Sequence, residues 1–264
     1  MAVYSHSKLS TFEQCKYKYK LRYIDKIEPE IEKSIESLLG SCVHETLEWI
    51  YTKAKEGKTP TLDDVILYYS NIWQENYSEK ILIVKKEKTP KDYFEKGIKF
   101  IIDYYTKHTP FNDGTIELEK QVFLDLDTEG KYRIIGYIDR LVKNKQTGKY
   151  EIHDYKTASN LPQKEKVETD RQLALYSIAI KKIYKVEGNI DLVWHYLAHN
   201  QKIISTRTFE QLEQLKQETI NLIKEIESTI EFPTVKSILC DWCEYKSLCP
   251  IHNKEIKRIT QKTL

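Results

Sequence analysis

Hydrophobic and polar positions fall into two regimes along the chain. Up to about residue 110 the apolar residues recur at helical spacing: Leu39, Val43, Leu47, Ile50 and Ala54 predict a helix over 37–56. Further helices are predicted over 61–82 and 91–107, broken at Thr89-Pro90 and closed before Pro110. At the front, residues 7–25 read as one aromatic and basic helix, with Ser7 or Ser10 as its cap. Beyond residue 115 the period changes to strand alternation over 116–126, 132–142 and 149–157, with turns holding Glu129-Gly130 and Thr147-Gly148. A helix at 169–186, strands at 190–198 and 202–208, and a long helix at 210–230 follow. This order predicts a mixed α/β core with an N-terminal helical cap.

The alternation is interrupted in an uncommon way. In "YRIIGYIDRLVKNKQTGKYEIHDYKTAS" two apolar runs each end in a lone aspartate, Asp139 and Asp154, and Lys156 follows the second. Side chains alternate on a strand, so Asp154 and Lys156 share one face while His153 and Tyr155 take the other. Two carboxylates held close repel unless a cation sits between them, and oxygen ligands favour a hard ion such as Mg²⁺ or Mn²⁺. A lysine beside such an ion faces a further negative charge such as phosphate, which is equipment for phosphodiester hydrolysis. A surface hairpin with an ordinary same-face ion pair has the same short pattern.

Length and composition bound the picture without narrowing it. The 264 residues carry 42 Lys+Arg against 40 Asp+Glu, which excludes a generically basic coat but not a local basic groove. No run approaches the roughly 18 apolar residues of a membrane span, and no signal peptide is evident, so a cytoplasmic protein is expected. No phosphate-loop motif occurs, so any unwinding would come from a partner helicase.

Other residues accompany the aspartates in a fixed order. Gly40 and His44 lie one helical turn apart in "LLGSCVHETLEWIY", then come "GYIDR", "DYKT" and, in "DRQLALYSIAI", Gln172 and Tyr176 four apart. With these four motifs the chain resembles the RecB-like branch of the PD-(D/E)xK nucleases, over residues 5–250. The resemblance implies a restriction-endonuclease-like mixed sheet flanked by helices. It also implies one domain over 1–264: a helical part at 1–110, a nuclease core at 111–230 and a cysteine-rich segment at 231–264. It implies that His44, Asp139, Asp154 and the carbonyl of Tyr155 hold Mg²⁺ or Mn²⁺, and that Lys156 stabilises developing charge. A lysine of ordinary pKa, roughly 10.4, is protonated at neutral pH, which favours that electrophilic role. Gln172 would steer the nucleic acid or Lys156, and Tyr176 would support its helix. An assisting upstream glutamate is expected at Glu119, with Glu117 its exposed neighbour.

Three of the five cysteines crowd into "CDWCEYKSLCP", as Cys240, Cys243 and Cys249. Thiolates so spaced favour Zn²⁺ or an iron–sulfur cluster, and a fourth ligand is open among Cys15, Cys42 and His252. The AddB-type and Cas-four nucleases of the same branch share a layout of one early and three late cysteines around a [4Fe–4S] cluster, which Cys15 fits, with Zn²⁺ as the lesser occupant. Cys42 reads as a small buried residue.

The segment "CKYKYKLRYIDK" interleaves Lys16, Lys18, Lys20 and Arg22 with Tyr17, Tyr19 and Tyr23. It reads equally as a single-strand channel or as a solvated helix with its tyrosines in the core. The tail "KEIKRITQK" is a further candidate for backbone contacts. The expected function is a metal-dependent exonuclease on single-stranded DNA ends or flaps, in repair, recombination or CRISPR adaptation, beside a helicase or integrase-type partner. The alternative is a non-catalytic iron–sulfur nucleic-acid-binding subunit of a helicase–nuclease or integration complex.

Overall fold

A computed structural model describes residues 2–253, and the basic tail at 254–262 lies outside the described residues. It opens with β1 (Ala2–Ser5), α1 (His6–Gln14), α2 (Lys16–Tyr19) and a π-helical turn (Lys20–Ile24). The helical cap consists of α3 (Ile35–Lys55), α4 (Leu62–Asn76) and α5 (Pro90–His108). The core follows as β2 (Thr115–Asp125), β3 (Tyr132–Lys143), β4 (Tyr150–Lys156), α6 (Lys164–Glu168), α7 (Arg171–Tyr184), β5 (Asp191–Tyr196), β6 (Gln201–Ser205) and α8 (Phe209–Ser228). Two short 3-10 turns, Ile238–Trp242 and Lys246–Leu248, end the described chain.

The expected α/β class and element order hold in the main; α6 was not anticipated, and three further differences stand out. The strand β1 escapes a periodicity reading because four residues carry too little pattern. The helix expected over 7–25 is broken at Cys15, whose extended backbone (φ −161°) caps α2, its sulfur accepting from the Lys18 amide at 3.5 Å. The helix expected to reach 82 stops at Asn76, and Ile81 is buried from a loop instead.

All six strands form one mixed sheet, and β3 organises it. One edge of β3 pairs antiparallel with β2 along most of its length. The other edge is shared: β1 runs parallel to residues 132–135, and β4 runs antiparallel to 140–143. Pairing with β4 ends at Arg140 and His153. Beyond that point Asp154, Tyr155 and Lys156 pair only with β5. The two strands therefore part where the motif aspartates sit.

Two apolar clusters cover opposite faces of the sheet. One joins Ile134, Ile138, Ile152 and Trp194 to α1, α7 and α8, and the other joins Tyr155 and Leu197 to the cap helices. The strict two-residue alternation fails within each long strand. Ile138 belongs to the α7 side, yet Arg140 lies on the cap side, bonded to the Tyr155 hydroxyl. Likewise Val122 packs on the α7 side and Leu118 on the cap side. The switches surround Asp139 and Glu119, and the flanking register (Leu118 with Arg140, Lys120 with Ile138) sets these two opposite one another.

Candidate active site

The break in alternation fixes the carboxylates. Glu119 adopts a left-handed backbone (φ 43°), which costs a non-glycine residue about 1–3 kcal/mol and persists where surrounding structure imposes it. Its carboxylate, that of Asp139 and the His44 ring each offer a ligand atom within 4.8 Å of the others, in a group suited to a metal ion. Glu119, the expected assisting residue, thus belongs to the cluster. Glu117 points elsewhere, bonded to Lys120 at 3.0 Å and Tyr184 at 3.2 Å, and it is half-buried while Glu119 is the exposed one of the two, the reverse of the expectation.

Helix α3 brings His44 over the strands. Nε2 of His44 lies 2.7 Å from the Tyr155 carbonyl, and Nδ1 lies 3.3 Å from Oδ2 of Asp139. The Tyr155 amide donates to the same Oδ2 at 3.0 Å. A carbonyl only accepts, so Nε2 carries a proton. In a neutral ring Nδ1 then turns a lone pair on a carboxylate, which a proton or an added cation would relieve. One imidazole, two carboxylates and a backbone carbonyl fit a divalent ion in donor type and in this local frustration.

Asp154 stands beside this group rather than within it. It is 3% exposed, its Oδ2 receives no aligned hydrogen bond, and the Lys156 ammonium lies 2.7 Å away. Burial, reinforced by Asp139, pushes the Asp154 carboxyl above the usual range against the pull of Lys156. For Lys156 burial favours the neutral amine, but Asp154, Asp170 and Asp139 outweigh it and hold the ammonium above its ordinary value. Nζ also donates to Oε1 of Gln172 at 3.3 Å. Glu119 is exposed at the mouth of the slot, yet partial desolvation of its carboxyl, then Asp139 and Glu48, push it up to about 7.

Glycine links the motifs. A Cβ at Gly136 would stand 2.1 Å from the Tyr176 ring, so this glycine lets α7 close onto β3 and present Gln172. Gly40 faces Thr157, at an ordinary 3.5 Å from a hypothetical Cβ, so it is not sterically obliged.

Behind the site lies a network that the sequence did not single out. Arg140, fully buried, donates to the Tyr155 hydroxyl (2.8 Å) and to Nδ1 of His153 (2.7 Å), pairs with Asp113, and stands 4.0 Å over the Tyr51 ring. Nδ1 of His153 is also 2.8 Å from Nε2 of His195. A charged residue inside the apolar run around Leu141 and Val142 was the available signal.

The other sequence candidates divide. Cys15, Cys240, Cys243 and Cys249 line one cavity of ≈ 50 Å³ together with His252, while Cys42 is buried away from it. All five thiols are free, and the described cysteines do not close into a tight ligand group; the described side chains that do are His44, Glu119 and Asp139. The basic segment near Cys15 is neutralised. Lys16 pairs with Glu225, Lys18 and Arg22 with Glu244, and Lys20 with Asp25. Tyr19 is buried, and the Tyr17 hydroxyl donates to the Leu248 carbonyl. The segment is an ion-paired surface helix with Tyr19 in the core and Tyr17 half-buried against the C-terminal segment. No described helix is long and apolar enough to cross a membrane.

One component of an ATP-dependent helicase/deoxyribonuclease from Carboxydothermus hydrogenoformans is 29% identical over 180 residues. The match takes 59% of this chain but only 16% of that much longer protein. A solved structure from Eubacterium rectale, described as a candidate exonuclease, is 13% identical with a TM-score of 0.49, covering 94% of this chain and 86% of that one. The family model of the PD-(D/E)XK nuclease superfamily matches residues 3–250, from the first strand to the last cysteine, and by that match the chain belongs to this superfamily.

Proposed function

We propose that the chain is a metal-dependent deoxyribonuclease whose site is the slot where β3 and β4 part. The observation that carries this reading is the convergence of His44, Asp139, Glu119 and the Tyr155 carbonyl beside the Asp154–Lys156 pair. His44, Asp139 and the Tyr155 carbonyl, with Asp154 and Glu119, would hold Mg²⁺ or Mn²⁺, which supplies charge neutralisation and a more acidic water when bound. Lys156 stays protonated beside Asp154 and faces the phosphate charge that grows in the transition state. Gln172 holds that ammonium in place, and Tyr176 seats α7 on Gly136.

Deoxyribonuclease activity is taken from the helicase/deoxyribonuclease relative, as is partnership with a helicase. Action on single-stranded ends or flaps, in repair, recombination or CRISPR adaptation, completes the reading. The four thiols around one cavity support a structural [4Fe–4S] cluster, with Zn²⁺ as the alternative, clipping α2 to the C-terminal segment.

End-labelled single-stranded DNA with Mn²⁺ tests the proposal. Asp154→Ala and Lys156→Ala are each expected to lower the rate by about 10²–10³-fold, the scale of losing one electrostatic group. Equal degradation by all three proteins would mean a contaminant. An inert wild type across metals and substrates would leave a DNA-binding subunit.

A further inference from the structure

A cavity of ≈ 490 Å³ between the start of α5 and the loop after β4 is lined by Lys85, Lys88, Lys96 and Lys99, with Asp92, Glu95 and Ser159 among them. Nζ of Lys96 donates to a neutral hydroxyl, Oγ of Ser159, at 2.8 Å. Lys85 has no ion pair among the described residues. Lys88 reaches Asp92 only at 3.9 Å, and that aspartate is already engaged in capping α5 through Thr89. Glu95 is taken by Lys91 at 3.7 Å, and Lys99 by Asp103 at 2.7 Å. Burial lowers the Lys96 pKa, and repulsion from Lys85 and Lys88 adds to it against the pull of Glu36.

Two stretches of chain tie the cavity to the slot. Ser159 lies three residues beyond Lys156, a chain reach of at most about 10 Å. On α3, Glu36, Gly40 and His44 share one face at four-residue intervals. Glu36 accepts from Tyr93, which lines the cavity, and Gly40 abuts Thr157. Glu36 and His44 are therefore about 12 Å apart along the axis. A strand gripped at His44 would pass Gly40 and Thr157 and skirt the Glu36 carboxylate, which accepts from Tyr93, to reach the lysines.

From this arrangement we infer that Lys85, Lys88 and Lys96 form a phosphate-binding groove for the DNA strand that extends from the cleavage slot. The inference rests on the proposed nuclease function and deepens it. The groove supplies affinity and direction, without reading sequence.

The test compares wild type with a Lys85→Gln, Lys88→Gln, Lys96→Gln triple variant, in EDTA, on a fluorescent 30-nucleotide single strand across a salt series. Each phosphate contact on a single strand contributes about 0.7 to the slope of log affinity against log salt, so the variant should flatten the slope by about 2. A Lys149→Gln, Lys216→Gln control should leave it unchanged. With Mn²⁺, the triple variant should raise KM on the 30-nucleotide strand and keep kcat, while a substrate too short to reach the groove is cleaved equally by both. An unchanged slope in a folded triple variant overturns the groove, even if wild type cleaves DNA. A flattened slope with no cleavage by wild type overturns the nuclease reading and keeps the groove. Equal flattening by the control variant also overturns it, because the attraction would then be diffuse.

Discussion

Glu119 shows how one backbone angle prepares a site. Its left-handed conformation turns the side chain toward Asp139 and His44, and partial desolvation beside Asp139 and Glu48 lifts its carboxyl to about 7. A cation must displace the proton that this group holds near neutrality. Mn²⁺ affinity should therefore climb as pH rises through about 7 and level off above it, and Glu119→Gln should both weaken binding and flatten the climb. Isothermal titration calorimetry in buffers of different ionisation heat reads both the affinity and the proton released. Matching pH profiles in the two proteins would remove Glu119 from the ligand set. At this scale the sequence was informative for Asp139, Asp154, Lys156, Gln172 and Tyr176, because each sits in a short motif on one element. It was weaker for Glu119, where adjacent glutamates compete and a local backbone twist decides. It was silent on Arg140, whose partners Asp113, His153 and Tyr155 come from separate stretches.

Among the elements, α7 against β3 is the contact on which the site most depends. Gly136→Ala drives a methyl group into the Tyr176 ring, and overpacking of this kind costs about 1–3 kcal/mol. Urea unfolding should show that loss in the single variant and a partial recovery in Gly136→Ala with Tyr176→Leu, since the ring is then gone. Additive losses would mean that the two positions do not press on one another. Element types were largely legible because periods of two and of three to four residues are local properties. The boundaries that failed did so for tertiary reasons. Residues 2–5 become a strand only because residues 132–135 are there to pair, and α1 ends at Cys15 because the thiol turns into a cavity shared with residues 240–252. The charges of α2 looked available to a ligand because their partners Glu225 and Glu244 lie more than 200 positions away.

Across the whole molecule, cap and sheet meet over a set of histidines around Arg140, with His153 and His195 buried and His108 half-buried. Burial holds His153 and His195 well below the usual range and brings His108 to about 4, with Arg140 adding to each shift. Groups depressed in this way favour the folded state fully above their unfolded value of about 6.5, and that stabilisation is lost as pH falls toward about 4. The thermal midpoint should accordingly drop between pH 6.5 and 4.5. His108→Phe, which keeps a ring against Tyr104 (centroids 4.1 Å apart), should lose less over that interval. Parallel curves for the two proteins would exclude His108 as a source of acid lability.

The facing positions of Glu119 and Asp139 have a consequence for how such a hairpin tolerates change in length. Counting inward from the pair, both strands meet at a tip around Gly130, so residues added or lost at the tip leave the two carboxylates opposite. One residue inserted inside β2 between Lys120 and Asp125 slides Glu119 past its counterpart and exchanges the faces of everything before it. Variation in length is thus cheap at the hairpin's end and disabling a few residues away.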